Sequence, residues 1–216
     1  MFPEIVVKTV HLILWSIFRG FFKFFAGFSI KGTKNFKKIG SSFLMAANHT
    51  SYLDPFIVGV TLPFRPRYFP FYTMTGDSLM KRFALKFFIK LLGGFPAYKG
   101  KGLEHSSRLP IKILKNQGRV LIFPEGKRRK ALGRPRKPRR GIAYIAAKTD
   151  AWIIPMNIKG HFRKKIWDWF LFRVKLEVAV GSPFKIRDIY PGKSLKTKKE
   201  LTQAANLVMG RIRTLQ

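Results

Sequence analysis

Hydrophobic positions recur at helical spacing near the start of the chain and then, from about Ser41, as short apolar runs separated by polar turns. Between Ile5 and Ile30 the longest stretch free of Lys, Arg, Asp and Glu before Gly20 is Thr9 to Phe18, too short to cross a bilayer, which needs about 20 apolar residues. Wound at about 100° per residue, Glu4, Lys8, His11, Ser16, Arg19 and Lys23 gather within roughly 140° of one another. Val6, Val10, Ile13, Leu14, Ile17, Phe18, Phe21, Phe24 and Phe25 fill the other side, while Ile5, Leu12, Trp15 and Phe22 intrude into the polar sector. The pattern predicts an amphipathic helix, or a helix pair broken near Gly20 or Gly27, lying in one leaflet with its cations at the phosphates. A helix packed against the rest of the domain is the alternative. No A-x-A-like cleavage site follows the apolar run, so the segment is expected to stay on the protein.

Beyond Ser41 the pattern alternates. Residues 42–47 form a short apolar run ending at a polar turn, and Asp54-Pro55 opens a stretch suited to a helix start. Residues 67–73 read as a second strand, and residues 79–92 as a basic amphipathic helix with Arg82, Lys86 and Lys90 four apart. Residues 119–123 are a buried-strand signal bounded by Gly118 and Pro124. Residues 141–149 look helical, 151–158 form another apolar strand, and 174–180 alternate as a later one. Residues 197–215 close the chain as a helix with Leu201, Ala204, Ala205, Val208, Ile212 and Leu215 on one face. Such alternation predicts one α/β domain over residues 31–216, with a mostly parallel central sheet flanked by helices, behind a membrane-associating segment of residues 1–30.

Composition changes the picture in four ways. The 22 phenylalanines, many of them beside Lys or Arg, suit a protein that shares apolar surface with lipid. The absence of cysteine excludes disulfides, thiolate chemistry and cysteine-based zinc sites. The four histidines, His11, His49, His105 and His161, lie far apart without metal-ligand spacing, so no metal is expected. Finally, 43 Lys and Arg against 10 Asp and Glu give a net charge of +33, which calls for a polyanionic partner: a nucleic acid, an anionic membrane surface or an acidic carrier protein. Against nucleic acid, the cations are spread along the whole chain, no helix-turn-helix, zinc-finger or RNP-like signature is present, and a Phe-rich N-terminal helix has no purpose there.

Three constellations can carry chemistry. His49 and Asp54 are five apart in a turn directly after a buried-strand signal, and an imidazole held by a carboxylate can act as a general base; a capping Asp beside a turn His is the plainer reading. Glu125 and Gly126 end Phe-Pro-Glu-Gly after another such strand, where a carboxylate can bond a substrate hydroxyl or backbone N–H groups, or be an exposed turn residue. Lys99 sits among Gly93, Gly94 and Gly100, a setting that can cradle phosphate but lacks the P-loop ending. The run from Lys127 to Arg140 holds nine Lys or Arg in fourteen residues, interrupted by Gly133, Pro135 and Pro138. It reads as a solvated loop or as a phosphate-capturing one.

The order of these segments is more specific than any one of them. His-x4-Asp at His49 and Asp54, Gly-Phe-Pro-x-x-Lys-Gly at residues 94–100, Phe-Pro-Glu-Gly at 123–126 and Ile-Ile-Pro-Met-Asn-Ile at 153–158 follow one another. In this layout the chain resembles the glycerolipid acyltransferases, specifically the lysophosphatidic acid (1-acylglycerol-3-phosphate) acyltransferases, over residues 28–181. The resemblance implies that His49 deprotonates an acceptor hydroxyl and Asp54 orients it. The alkoxide then attacks a thioester of acyl-CoA or acyl-carrier protein, with no cofactor, no metal and no acyl-enzyme. It further implies that Lys99 grips the acceptor phosphate, that Glu125 and Gly126 shape the acceptor site, and that Pro155 lines the acyl side or supports the core. The implied partners are anionic membrane lipids, the thioester donor and a lysophospholipid, met at the cytoplasmic face of the cell membrane. Two positions depart from the family. Lys99 replaces an Arg, exchanging a bidentate fork for a point charge, and Lys127 replaces a Thr, adding a cation. Another lysolipid is therefore the alternative acceptor.

Overall fold

The computed structural model describes residues 1–128, 136–191 and 195–215. In chain order the elements are α1 (Glu4–Phe25), β1 (Ser29–Lys31), β2 (Phe43–Ala47), α2 (Asp54–Thr61), β3 (Phe71–Thr75), α3 (Asp77–Met80), α4 (Phe83–Leu91), β4 (Gly94–Pro96), α5 (Leu103–Lys115), β5 (Arg119–Ile122), α6 (Gly141–Thr149), β6 (Trp152–Lys159), α7 (Ile166–Phe170), β7 (Glu177–Val180), α8 (Ile186–Ile189) and α9 (Lys198–Arg213). The strands form one sheet in the order β1-β7-β6-β2-β5-β3-β4, parallel throughout except between β6 and β7. This is the α/β architecture expected from the alternation.

The central strand explains the layering. All five residues of β2 are buried, because a parallel strand covered on both faces has no polar side to show water. Leu44 and Ala46 face a core built with α5, α6, α8 and α9. Phe43, Met45 and Ala47 face the opposite core, which takes in Phe22 of α1, Ile57 and Val58 of α2 and Trp169 of α7.

Two expected elements shift. The strand expected over residues 67–73 begins only at Phe71, because Pro66 and Pro70 cannot donate to a ladder; Pro66–Tyr68 is instead a 3-10 turn whose Tyr68 hydroxyl donates to Phe36 O. The helix expected over residues 79–92 is two helices. Asp77 accepts from the N–H groups of Tyr98 and Lys99 and holds α3 to that loop, and Arg82 turns to extended backbone before α4.

The N-terminal segment is a single helix that passes Gly20 unbroken and ends before Gly27, whose φ is +49°. It spans about 33 Å at 1.5 Å per residue, long and apolar enough to cross a membrane by length and composition, although its charge-free run is shorter. Part of its polar side turns into the domain, while Glu4, Ser16 and Lys23 stay exposed. His11, Trp15 and Arg19 point into the domain, donating to Leu92 O at 3.2 Å, Leu62 O at 2.9 Å and Val60 O at 3.0 Å. They satisfy carbonyls at the ends of α4 and α2, which have no intrahelical partner. Val6, Ile13, Ile17 and Phe24 are left exposed on the outer side.

His11 makes this docking sensitive to acid. Phe71 N–H donates to its Nδ1 and its Nε2–H donates to Leu92 O, so both ring nitrogens are used by the neutral imidazole. Burial pushes its pKa down to about 4, the bond to Leu92 working the other way. With the folded value below the unfolded one, the unfolded chain binds the extra proton first, so stability present above about pH 6.5 is lost as pH falls toward 4. The expected loss is about 3 kcal/mol between pH 7 and 4. Denaturant titrations in detergent should show it in the native chain and a smaller loss in His11→Gln, which cannot take the proton.

Candidate active site

β5 and β6 both lie parallel to β2, so three strands deliver their carboxyl ends to one edge. That is where open α/β sheets place their sites. β2 leads into Asn48-His49, β5 into Phe123-Pro124-Glu125, and β6 into Gly160-His161. Asn48 clamps two of these ends, its side chain accepting from Ile158 N–H at 2.7 Å and donating to Ile158 O at 2.8 Å.

Asp54 opens α2 and is fully buried. Its Oδ2 accepts from His49 Nδ1 at 2.8 Å, from Thr50 N–H at 2.6 Å and from Ser51 N–H at 2.9 Å. Its Oδ1 accepts from His161 Nε2 at 2.6 Å, with Thr50 Oγ1 3.1 Å from the same nitrogen. Burial alone would raise this carboxyl, but the hydrogen bonds and charges of His161 and His49 outweigh it and hold the pKa at about 2. The group is a carboxylate at any physiological pH and can only accept. His49 therefore donates to it from Nδ1, which leaves Nε2 as the nitrogen that does not face Asp54. The ring stacks on Phe123 at 4.1 Å and lines a cavity.

His161 is the residue the chain pattern did not bring forward. It lies 107 positions from Asp54 and shows no spacing to it. The available signal was its place just past an apolar strand, as His49 is just past another. Gly160 makes the approach possible: at φ +94° a Cβ there would stand 1.7 Å from Lys175 O. The Nδ1 of His161 is buried without a partner among the described residues, a tolerable state for a lone pair and a costly one for an N–H.

The other expected residues gather around the same edge with different contacts. Glu125 is buried and accepts from His49 N–H at 3.3 Å, so it braces the histidine's backbone. Gly126 turns the chain at φ +66°, where a Cβ would stand 2.9 Å from the Arg139 side chain. Lys127 is exposed beside it. Lys99 is exposed and brings its Nζ to Gly76, a cavity-lining residue. Arg128, not singled out from the sequence, lays its guanidinium 3.5 Å over the ring of Tyr52, three residues from His49. Pro155 pairs with Ala46 in the sheet and supports the core. Of the cationic run at residues 127–140, residues 129–135 lie outside the described residues.

The cavity is about 480 Å³ and mostly apolar. Leu14, Trp15 and Phe18 of α1, Phe56 of α2, and Leu85 and Phe88 of α4 wall it, and His49 and Phe123 are among its lining. An imidazole held by a buried carboxylate thus borders an apolar chamber with cations near its margin. The acyltransferase family profile matches residues 27–159, more than half of the chain and every strand of this edge. The chain belongs to the acyltransferase family. It is an enzyme, and its sequence is 28% identical over 168 residues to a 1-acyl-sn-glycerol-3-phosphate acyltransferase of Bacillus subtilis, covering 77% of this chain and 78% of that protein. Its fold is similar to the crystal structure of the lysophosphatidic acid acyltransferase PlsC of Thermotoga maritima. The TM-score is 0.65 at 21% identity, over 95% of this chain and 77% of that one.

The second imidazole on Asp54 sets a test within this acyltransferase. His161→Leu leaves a buried carboxylate oxygen without its donor and is expected to lower stability by about 2–3 kcal/mol and kcat by about tenfold, with KM little changed. His161→Gln, whose amide reaches toward the same oxygen, should recover most of both. Equal kcat in the Leu variant, measured under conditions where it stays folded, would detach His161 from the site.

Proposed function

We propose that the enzyme moves a fatty acyl group from a thioester donor, acyl-CoA or acyl-carrier protein, to the free hydroxyl of a lysophospholipid at the cytoplasmic face of the cell membrane. The favoured acceptor is 1-acylglycerol-3-phosphate, and the product phosphatidic acid. The observation that carries this reading is His49, which donates Nδ1 to the buried Asp54 carboxylate and lines the apolar cavity. The cavity lies within the range of about 300–1,000 Å³ in which small-molecule sites fall.

In the reaction the acceptor hydroxyl gives its proton to His49 Nε2 as its oxygen attacks the thioester carbonyl. The imidazolium that forms is stabilised by the Asp54 carboxylate. Collapse of the tetrahedral intermediate breaks the carbon–sulfur bond, and the proton passes to the departing thiolate. The products are the acylated lipid and the free thiol of the donor. Glu125 keeps the His49 backbone in register through its bond to the amide. Arg128 over Tyr52, with Lys99 at Gly76 and the exposed Lys127, supports an anionic headgroup at the margin of the cavity. Arg128 supplies the bidentate fork that Lys99 lacks. Residues 1–30 serve as the membrane-associating segment, a role supported by the outward apolar side of α1.

Purified protein in detergent should transfer a labelled acyl group to 1-acylglycerol-3-phosphate, with donor and product followed by mass spectrometry. His49→Ala should lower kcat by about 10²–10⁴-fold with unchanged circular dichroism, and full activity in that variant would remove His49 from the mechanism. Transfer to no lysolipid with either donor would sink the reading as a whole. Arg128→Ala should raise KM for the phosphate-bearing acceptor by about tenfold, the size of a lost charge-assisted bond, while kcat holds. A KM that does not move places the phosphate elsewhere.

A further inference from the structure

The apolar outer side of α1 continues past the end of the helix. Near Phe24 it meets a second exposed cluster on α7 and the turn after it: Ile166, Trp167, Phe170, Leu171 and Phe172. Trp169 alone among the aromatic residues of that segment turns inward, where it is 3% exposed and packs on Phe21 and Phe22 with ring centroids 6.0 and 5.6 Å away. The turn closes through Phe172 N–H to Trp169 O at 3.0 Å and Arg173 N–H to Asp168 O at 2.8 Å. Phe172, at φ +55°, then lays its ring 5.6 Å from those of both Phe24 and Phe25. The two exposed clusters are one surface, and it is held in shape.

Charge identifies what covers it. Arg163, Lys164 and Lys165 precede the cluster and Arg173 and Lys175 follow it, all exposed. The one acid between residues 161 and 175 is Asp168, whose carboxylate accepts from Lys165 N–H. An apolar ridge rimmed by cations matches an anionic leaflet, with rings below the headgroups and cations at the phosphates. At the other end of α1, Phe2 packs edge-on to Phe87 at 5.3 Å, and Phe83 and Phe88 stand exposed beside it on α4. A helix set across the bilayer would hold these two apolar ends apart by the roughly 30 Å of hydrocarbon. Both reach the same leaflet only when α1 lies in the membrane plane.

We propose that α7 and the turn after it form a second membrane-insertion element, which with α4 holds α1 flat in one anionic leaflet. The proposal rests on the membrane-surface reading given above. The full chain is floated with phosphatidylcholine vesicles with and without phosphatidylglycerol, beside the variant Ile166→Ser/Trp167→Ser/Leu171→Ser. The wild type should float, more so with phosphatidylglycerol, and the variant's partition coefficient on the anionic vesicles should fall by about tenfold or more. Its circular dichroism and its acyl transfer in detergent micelles should be unchanged. Equal flotation of the two proteins overturns the insertion element alone. So does a variant that loses a dimer by sedimentation yet binds vesicles as before, since the cluster is then an interface between copies. A wild type that does not float overturns the membrane-surface reading with it.

Discussion

The buried carboxylate of Asp54 is the interaction on which the rest depends. A charge with no exposure to water survives in a protein only when its lone pairs are matched by donors, and here four donors come from two segments of the chain. Two are backbone N–H groups of the loop after β2, which fold that loop around the carboxylate. One is His161, which can arrive only if β6 lies beside β2 in parallel. The last is His49, whose proton is thereby fixed on Nδ1. The fold and the setting of His49 rest on the same set of bonds at this point, so a change that frees Asp54 affects both.

The second constraint is that the molecule has more apolar surface than its own core can absorb. α1 resolves this by an arrangement unlike that of an ordinary surface helix. His11, Trp15 and Arg19 satisfy carbonyls of the domain, and much of its apolar side faces outward. The same helix walls the cavity that His49 borders. One helix therefore carries both an exposed apolar side and part of the cavity wall.

Much of this was legible in the sequence. The apolar runs at residues 42–47 and 119–123 became β2 and β5, and the strand-then-turn placement of His49, Asp54 and Glu125 brought these residues to one edge. The face of Leu201, Ala204, Ala205, Val208 and Ile212 is the buried face of α9. What escaped did so for physical reasons. α5 holds Pro110 in its interior, where a missing donor masks the helical signal. His161 depends on strand order, which spacing along a chain does not carry. The inward turn of His11, Trp15 and Arg19 on α1 was not legible because a wheel records which residues share a side, not what they face. Arg128 was one cation in a crowded run until the fold laid it on Tyr52.

In the proposed mechanism Asp54 sets His49 as a base whose free nitrogen is Nε2. Nitrogen-15 NMR of the histidine-labelled enzyme in detergent, with His49 assigned by substitution, reads this directly. A neutral His49 protonated on Nδ1 is expected, with that proton far downfield in its bond to the carboxylate and the pattern lost in Asp54→Asn. A His49 protonated on Nε2, or one whose signals do not respond to Asp54→Asn, would contradict it.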